Sequence, residues 1–103
     1  MVCHRANPVD AAHLPTLALA EVRAVRPDAG AQLAEVIGHS SVVLDELDAT
    51  AARHVDQLLL RADVFDACAG HIAYVARTRG WPTLTADPGR LRRVDPVLEL
   101  ELL

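Results

Sequence analysis

The residues from Ala62 to Pro88, A-D-V-F-D-A-C-A-G-H-I-A-Y-V-A-R-T-R-G-W-P-T-L-T-A-D-P, constrain this chain more than any other stretch. Val64, Ala67, Cys68, His71, Ile72 and Val75 recur at helical spacing, which predicts an amphipathic helix with one buried stripe. Asp63 is placed to cap its start, because a carboxylate can accept the orphan N–H groups of a first turn. Arg77 and Arg79 fall in the last turn, where cations suit the helix dipole, and Gly80 follows as a stop. Pro82 to Ala86 then predicts a short buried strand that Asp87-Pro88 ends. Helix, tight turn, buried strand and an acid at the strand's carboxyl end form an α/β pattern, in which ligands bind beyond the carboxyl ends of the strands.

The rest of the chain agrees with that class. Asn7-Pro8 suits a helix start, and Leu14-Pro15 can close a short strand. Thr16 is placed to cap a helix over 17–25 that carries Glu21 in its middle and stops before Pro27. Asp28 opens a second helix through Ile37, and Ser41 to Leu44 predicts a buried strand. Asp48 caps a third helix to about Arg61, with Ala52, Val55, Leu58 and Leu59 on one face. Gly89 to Arg93 is a short helix or turn, and Asp95-Pro96 breaks it. Val97 to Leu103 alternates as an edge strand with Glu99 and Glu101 facing out. Strands alternating with helices predict one α/β domain over residues 1–103. Its mostly parallel sheet is covered on both faces, giving three layers.

Composition narrows the function classes. At 103 residues the chain supports one core, and its net charge of −4 argues against a whole-surface nucleic-acid binder. All ten basic residues are Arg, yet five of them lie between Arg77 and Arg93 against one acid, Asp87. Arg90, Arg92 and Arg93 are therefore candidates to bind nucleic-acid phosphates bidentately, or to form a solvated basic face, or to meet an acidic tail of a partner. Cys3 and Cys68 are expected to be free thiols in a reducing, cytoplasmic setting. No apolar run approaches membrane-spanning length, and the N-terminus carries no apolar leader core. The five His residues share no metal-ligand spacing, and His71 on the apolar stripe is expected to be a hydrogen-bonded core histidine. Neither a Gly-rich phosphate loop nor a Ser/His/Asp arrangement is evident. Trp81 is a packing residue or a base-stacking one.

The chemistry that remains rests on acids: Glu21, Asp63, Asp66 and Asp87. Singly, Glu21 suits a solvated helix position, Asp63 a cap and Asp87 a turn before Pro88. Asp66 falls inside the expected helix, where Asp has no structural use. Brought together, such carboxylates would repel unless a cation lay among them. Mg²⁺ or Mn²⁺, hard cations with a preference for oxygen, would suit such a set.

In this order and spacing, P-T-L-A-L-A-E-V, then D-V-F-D-A, then R-G-W-P-T-L-T-A-D-P, most of the chain from about Leu14 onward resembles a PIN domain. These are metal-dependent ribonucleases, best known as the VapC-type toxins of bacterial toxin–antitoxin pairs. The resemblance implies that Glu21, Asp66 and Asp87 are catalytic acids and metal ligands, with Asp63 auxiliary. It also implies an RNA substrate, bound Mg²⁺ or Mn²⁺, and, for a toxin of this family, an antitoxin partner. The family's first acid, an Asp ending a first strand in the middle of the sheet, has no counterpart. The chain thus resembles an N-terminally truncated PIN domain, and three explanations stand. The true start lies upstream, or the module is degenerate and inactive, or another chain fills the gap. Without a middle strand the chain is expected to be poorly stable or to dimerise through its apolar faces.

Overall fold

The computed structural model describes residues 2–3, 12–38 and 42–102. The expected helix start at Asn7-Pro8, the side chains of Cys3, His4 and His39, and the first residue of the strand expected at Ser41 lie outside the described residues.

Strand β1 is Val2–Cys3 and β2 is Ala12–Pro15. Helix α1 (Thr16–Val25) follows β2 directly, so Pro15 occupies the cap position and Thr16 is the first helical residue, with no side-chain cap. After a single 3₁₀ turn, Pro27–Ala29, comes α2, Gly30–Ile37. Asp28 does not cap that helix; its carboxylate accepts from Arg26 instead. Then come β3 (Val42–Asp45), α3 (Ala49–Ala62), α4 (Ala67–Arg79), β4 (Thr83–Thr85), α5 (Pro88–Val94) and β5 (Leu100–Leu102).

The strands lie in the order β3-β2-β1-β4-β5. β2 pairs parallel with β3, from Ala12↔Val42 to Pro15↔Asp45, and β4 pairs parallel with β5. β1 runs antiparallel to both β2 and β4, so the two parallel pairs point the same way. The position at the centre of the sheet, where the resemblance leaves a gap, is thus taken by the chain's own Val2–Cys3.

Helix α4 is the hub, touching α1, α3, α5, β1 and β2. The single stripe expected for it is a correction. Ala69, Gly70, His71, Ile72, Ala73, Val75 and Ala76 are all buried, so the helix is enclosed around most of its circumference. Its small residues permit this. A Cβ on Gly70 would lie 2.9 Å from Val55 Cγ1 and 3.1 Å from Leu59 Cδ2, so α3 and α4 approach at a point where an added methyl would have to displace both side chains. Ile72 and Leu91, from α4 and α5, are the largest fully buried apolar side chains.

Other expectations shift for local reasons. β3 is an edge strand, and Val43 and Leu44 are exposed rather than buried. Helix α3 is capped by Asp48 as expected, its carboxylate accepting Ala51 N–H at 2.8 Å. It runs on to Ala62, and Asp63 ends it in the left-handed conformation, φ 54° and ψ 49°. Asp63 therefore terminates α3 instead of starting α4. The last strand is confined to three residues because Asp95 accepts the N–H of Val97 at 3.2 Å and holds a turn there. No helix among the described residues is long and apolar enough to cross a membrane.

A carboxylate pair held by one arginine

Glu21 and Asp66 are 45 residues apart and meet on the guanidinium of Arg90. Glu21 sits in α1, which springs from the end of β2. Asp66 precedes α4, and its Oδ1 accepts the N–H of Ala69 at 3.1 Å. It is the cap of that helix, which corrects the reading that gave Asp63 this task and left Asp66 without one. Two Asp residues three positions apart both suit a helix boundary. Here Asp63 closes one helix and Asp66 opens the next.

Arg90 projects from the first turn of α5. Its Nε donates to Asp66 Oδ2 at 2.6 Å and its Nη2 to Asp66 Oδ1 at 2.9 Å. Its Nη1 and Nη2 donate to Glu21 Oε2 and Oε1 at 2.9 and 2.8 Å. Both carboxylates are thus gripped by one planar fork, the geometry that makes arginine pairs strong. The Arg90 hydrogen bonds hold both acids below their usual carboxylate range, and the two acids push the arginine's own pKa up. Cys68, the second residue of α4, donates its thiol to Glu21 Oε2 at 3.2 Å. Half-burial first, and then the neighbouring Glu21 charge, push that thiol up to about 12, which leaves it protonated and unreactive at neutral pH.

Asp87 lies after β4, at the same edge of the sheet as the start of α1. It caps α5, its Oδ1 accepting the backbone N–H of Arg90 at 3.2 Å. The acid expected to join the pair therefore fixes the backbone of the arginine that does join it. Asp63 borders a different feature, a pocket of about 160 Å³ shared with Leu60 and Phe65. Of the three arginines expected to face RNA, Arg90 is engaged with the acids, whereas Arg92 and Arg93 are exposed in the last turn of α5.

The donor set suits a divalent cation in kind: two convergent carboxylates, partly exposed, with one guanidinium between them leaving net negative charge. Among the described residues no group of three or more His, Cys, Asp or Glu is placed to hold a metal ion.

A second polar cluster escaped the sequence reading. His13 Nδ1 lies 2.6 Å from Asp45 Oδ2, and Arg79 Nη2 is 3.2 Å from Asp45 Oδ1. Trp81 meets the His13 ring edge-on at 4.7 Å, a packing role. The register Pro15↔Asp45 puts His13 and Asp45 on one face of the sheet, but that register is invisible before the strands are paired. Nearby, His71 is fully buried as expected, yet among the described residues neither ring nitrogen finds a hydrogen-bond partner. Burial holds its pKa down, against the pull of the Asp45 and Asp48 charges.

Compared with family models, curated proteins and solved structures, the chain matches none.

Proposed function

We propose that this protein is a PIN-type endoribonuclease module, its helices covering both faces of the sheet, with Glu21 and Asp66 as the acids that hold Mg²⁺ or Mn²⁺. The observation that carries the reading is the meeting of those two carboxylates on Arg90, where α1 leaves β2 and α4 begins. The parallel pairs β2–β3 and β4–β5 fit the reading, whereas the central strand, antiparallel and without an acid, departs from it. The chemistry such an ion supplies is a lowered pKa for a bound water and neutralisation of charge on a scissile phosphate. Glu21 and Asp66 would hold the ion, Arg90 neutralises the two acids in its place, and Asp87 fixes Arg90 at the first turn of α5. A cytoplasmic setting suits the protonated thiol of Cys68.

RNA cleavage by the chain with Mn²⁺ or Mg²⁺, set against chelator, tests the proposal. Cleavage that disappears in Glu21→Gln and in Asp66→Asn supports it; undiminished cleavage in either variant ends it.

Two observations favour a second reading, an inactive module that dimerises or binds an antitoxin-like protein. Arg90 already satisfies both acids, and Phe65 and Leu60 are largely exposed, with relative exposures of 101% and 72%. A chain that cleaves no RNA under any metal, yet sediments as a dimer that Phe65→Ser dissociates, would establish this alternative.

A further inference from the structure

The last turns of α3, α4 and α5 converge on a cleft that the acidic pair does not use. A cavity of about 370 Å³ is lined by Arg61, Arg77, Arg92 and Arg93, with Leu58 in its wall. A second, of about 230 Å³, shares Leu58, Arg61 and Arg77 with it and ends at His54. The two adjoin along Leu58, Arg61 and Arg77, and together they make a basic channel open along the surface. Among the described residues, the arginine of this lining that is paired is Arg77, whose Nη1 lies 3.3 Å from the buried Asp95 Oδ2. Arg61, Arg92 and Arg93 carry no ion pair among the described residues. Cations at helix C-termini are favourable singly. Four of them around a shared concavity repel one another, and in a protein of net charge −4 that concentration is out of keeping with the rest of the surface.

At the His54 end, the ring is fixed in place. It stacks on Tyr74 with centroids 5.2 Å apart and an interplanar angle of 25°, and its Nδ1 bonds the carbonyl of Thr50 at 2.9 Å. His54 is exposed, so a pre-ordered flat surface stands at the end of a line of guanidinium groups. An acidic peptide would need only the charges. A single-stranded nucleic acid would use both, phosphates on the arginines and one base on the ring. We propose that this channel binds single-stranded RNA, its backbone lying along Arg61, Arg92 and Arg93 and one base stacked on His54. Arg92 and Arg93 lie one turn beyond Arg90 on α5, so the channel and the acidic pair are joined through that helix. The choice of RNA over DNA rests on the ribonuclease reading; the channel itself does not.

The test is fluorescence anisotropy of a dye-labelled short single-stranded RNA with the full chain in chelator, so that cleavage plays no part. Tight, salt-sensitive binding is expected. The double variant Arg61→Gln/Arg92→Gln should bind about tenfold more weakly, with the slope of log K against log salt reduced by about 1.4, at about 0.7 per lost phosphate contact. His54→Ala should also lose about tenfold, with an unchanged salt slope. Arg23→Gln, an exposed cation on α1, should bind as the parent does. Matching thermal melts confirm that each variant is folded. Unchanged binding in the double variant overturns the proposal, as does polyglutamate of equal length displacing RNA as well as unlabelled RNA does. A chain that binds RNA in this way but cleaves none upholds the channel and overturns the ribonuclease reading instead.

Discussion

Replacing Arg90 by Gln removes the one cation between Glu21 and Asp66. The side chain makes four charge-assisted hydrogen bonds of 2.6 to 2.9 Å, and its relative exposure is 21% beside 36% for Glu21 and 24% for Asp66. Exposed ion pairs contribute up to about 1 kcal/mol, and breaking a fully buried pair costs about 3 to 5. This partly screened site lies between, so a loss of roughly 2 kcal/mol is expected. For a domain of this size that lowers the melting temperature by about 8 to 16 °C. Thermal melts followed by far-UV circular dichroism at pH 7 read it directly.

The pH dependence is more diagnostic. Arg90 depresses the folded-state pKa of both acids below their ordinary values of 4.5 and 3.8. A depressed carboxylate stabilises the fold above its unfolded pKa, and that stability drains away as pH falls through the folded pKa. The parent should therefore lose this contribution from about pH 4.5 downward. In Arg90→Gln the two facing carboxylates repel, and taking up a proton relieves them. The deficit relative to the parent should then shrink as the solution is acidified from pH 7 towards 4. Mn²⁺ should raise the melting temperature of the variant more than that of the parent, since an ion can take the vacated charge position. A hundredfold excess over Kd is worth about 2.7 kcal/mol. A variant that melts within a degree or two of the parent, with the same pH profile and no response to Mn²⁺, would refute the idea that one guanidinium holds this site together.

Asp87→Asn should leave stability nearly unchanged, because Asn caps as well as Asp, whereas Asp87→Ala should cost about 1 kcal/mol in thermal melts. Equal losses of Mn²⁺ affinity in both variants, by calorimetry, would instead make Asp87 a ligand. Asp63→Gly should stabilise the chain by about 0.5 kcal/mol in chemical denaturation, because glycine accepts the left-handed backbone there without strain. Cys68 should react with a thiol reagent at pH 8 far more slowly than in denaturant, in keeping with a pKa near 12; equal rates would contradict the Glu21 contact. His71 is held neutral by burial, so the unfolded chain takes up its proton first, and stability should fall below pH 6.5 by up to about 1.4 kcal/mol per pH unit. His71→Leu should flatten that part of the profile.

The alternation of strands and helices was legible because it rests on local spacing and punctuation: Gly80 before β4, Asp48 before α3, Pro88 at the first position of α5. The helix boundary at D-V-F-D was not, since each Asp can serve either end of a helix and only α3's packed length decides between them. The enclosure of α4 was hidden because Ala and Gly carry little hydrophobic signal yet allow neighbours to approach from all sides. Local pattern has even less to say about Arg90. In G-R-L-R-R every arginine has the same prospects as a solvated cation. What distinguishes Arg90 is Glu21, 69 positions away in the chain, and the turn of α5 that points one guanidinium inward while Leu91 and Val94 are buried.

Helix α5 is only seven residues long, yet it is pinned at both ends, by Asp87 at its start and by Leu91, Val94 and buried Asp95 towards its close. Such a short, anchored element cannot let Arg90 and Arg93 move independently. One reaches the acids and the other lines the channel, and both act on the charge of Asp66. The acidic pair and the arginine channel are therefore coupled through one rigid helix of about two turns. Whatever neutralises the carboxylates in place of Arg90 frees a guanidinium beside Arg93. Whatever occupies the channel changes the field in which the carboxylates sit. A polyanion and a cation would each favour the binding of the other here, by reciprocity of linked equilibria and without any rearrangement of the sheet.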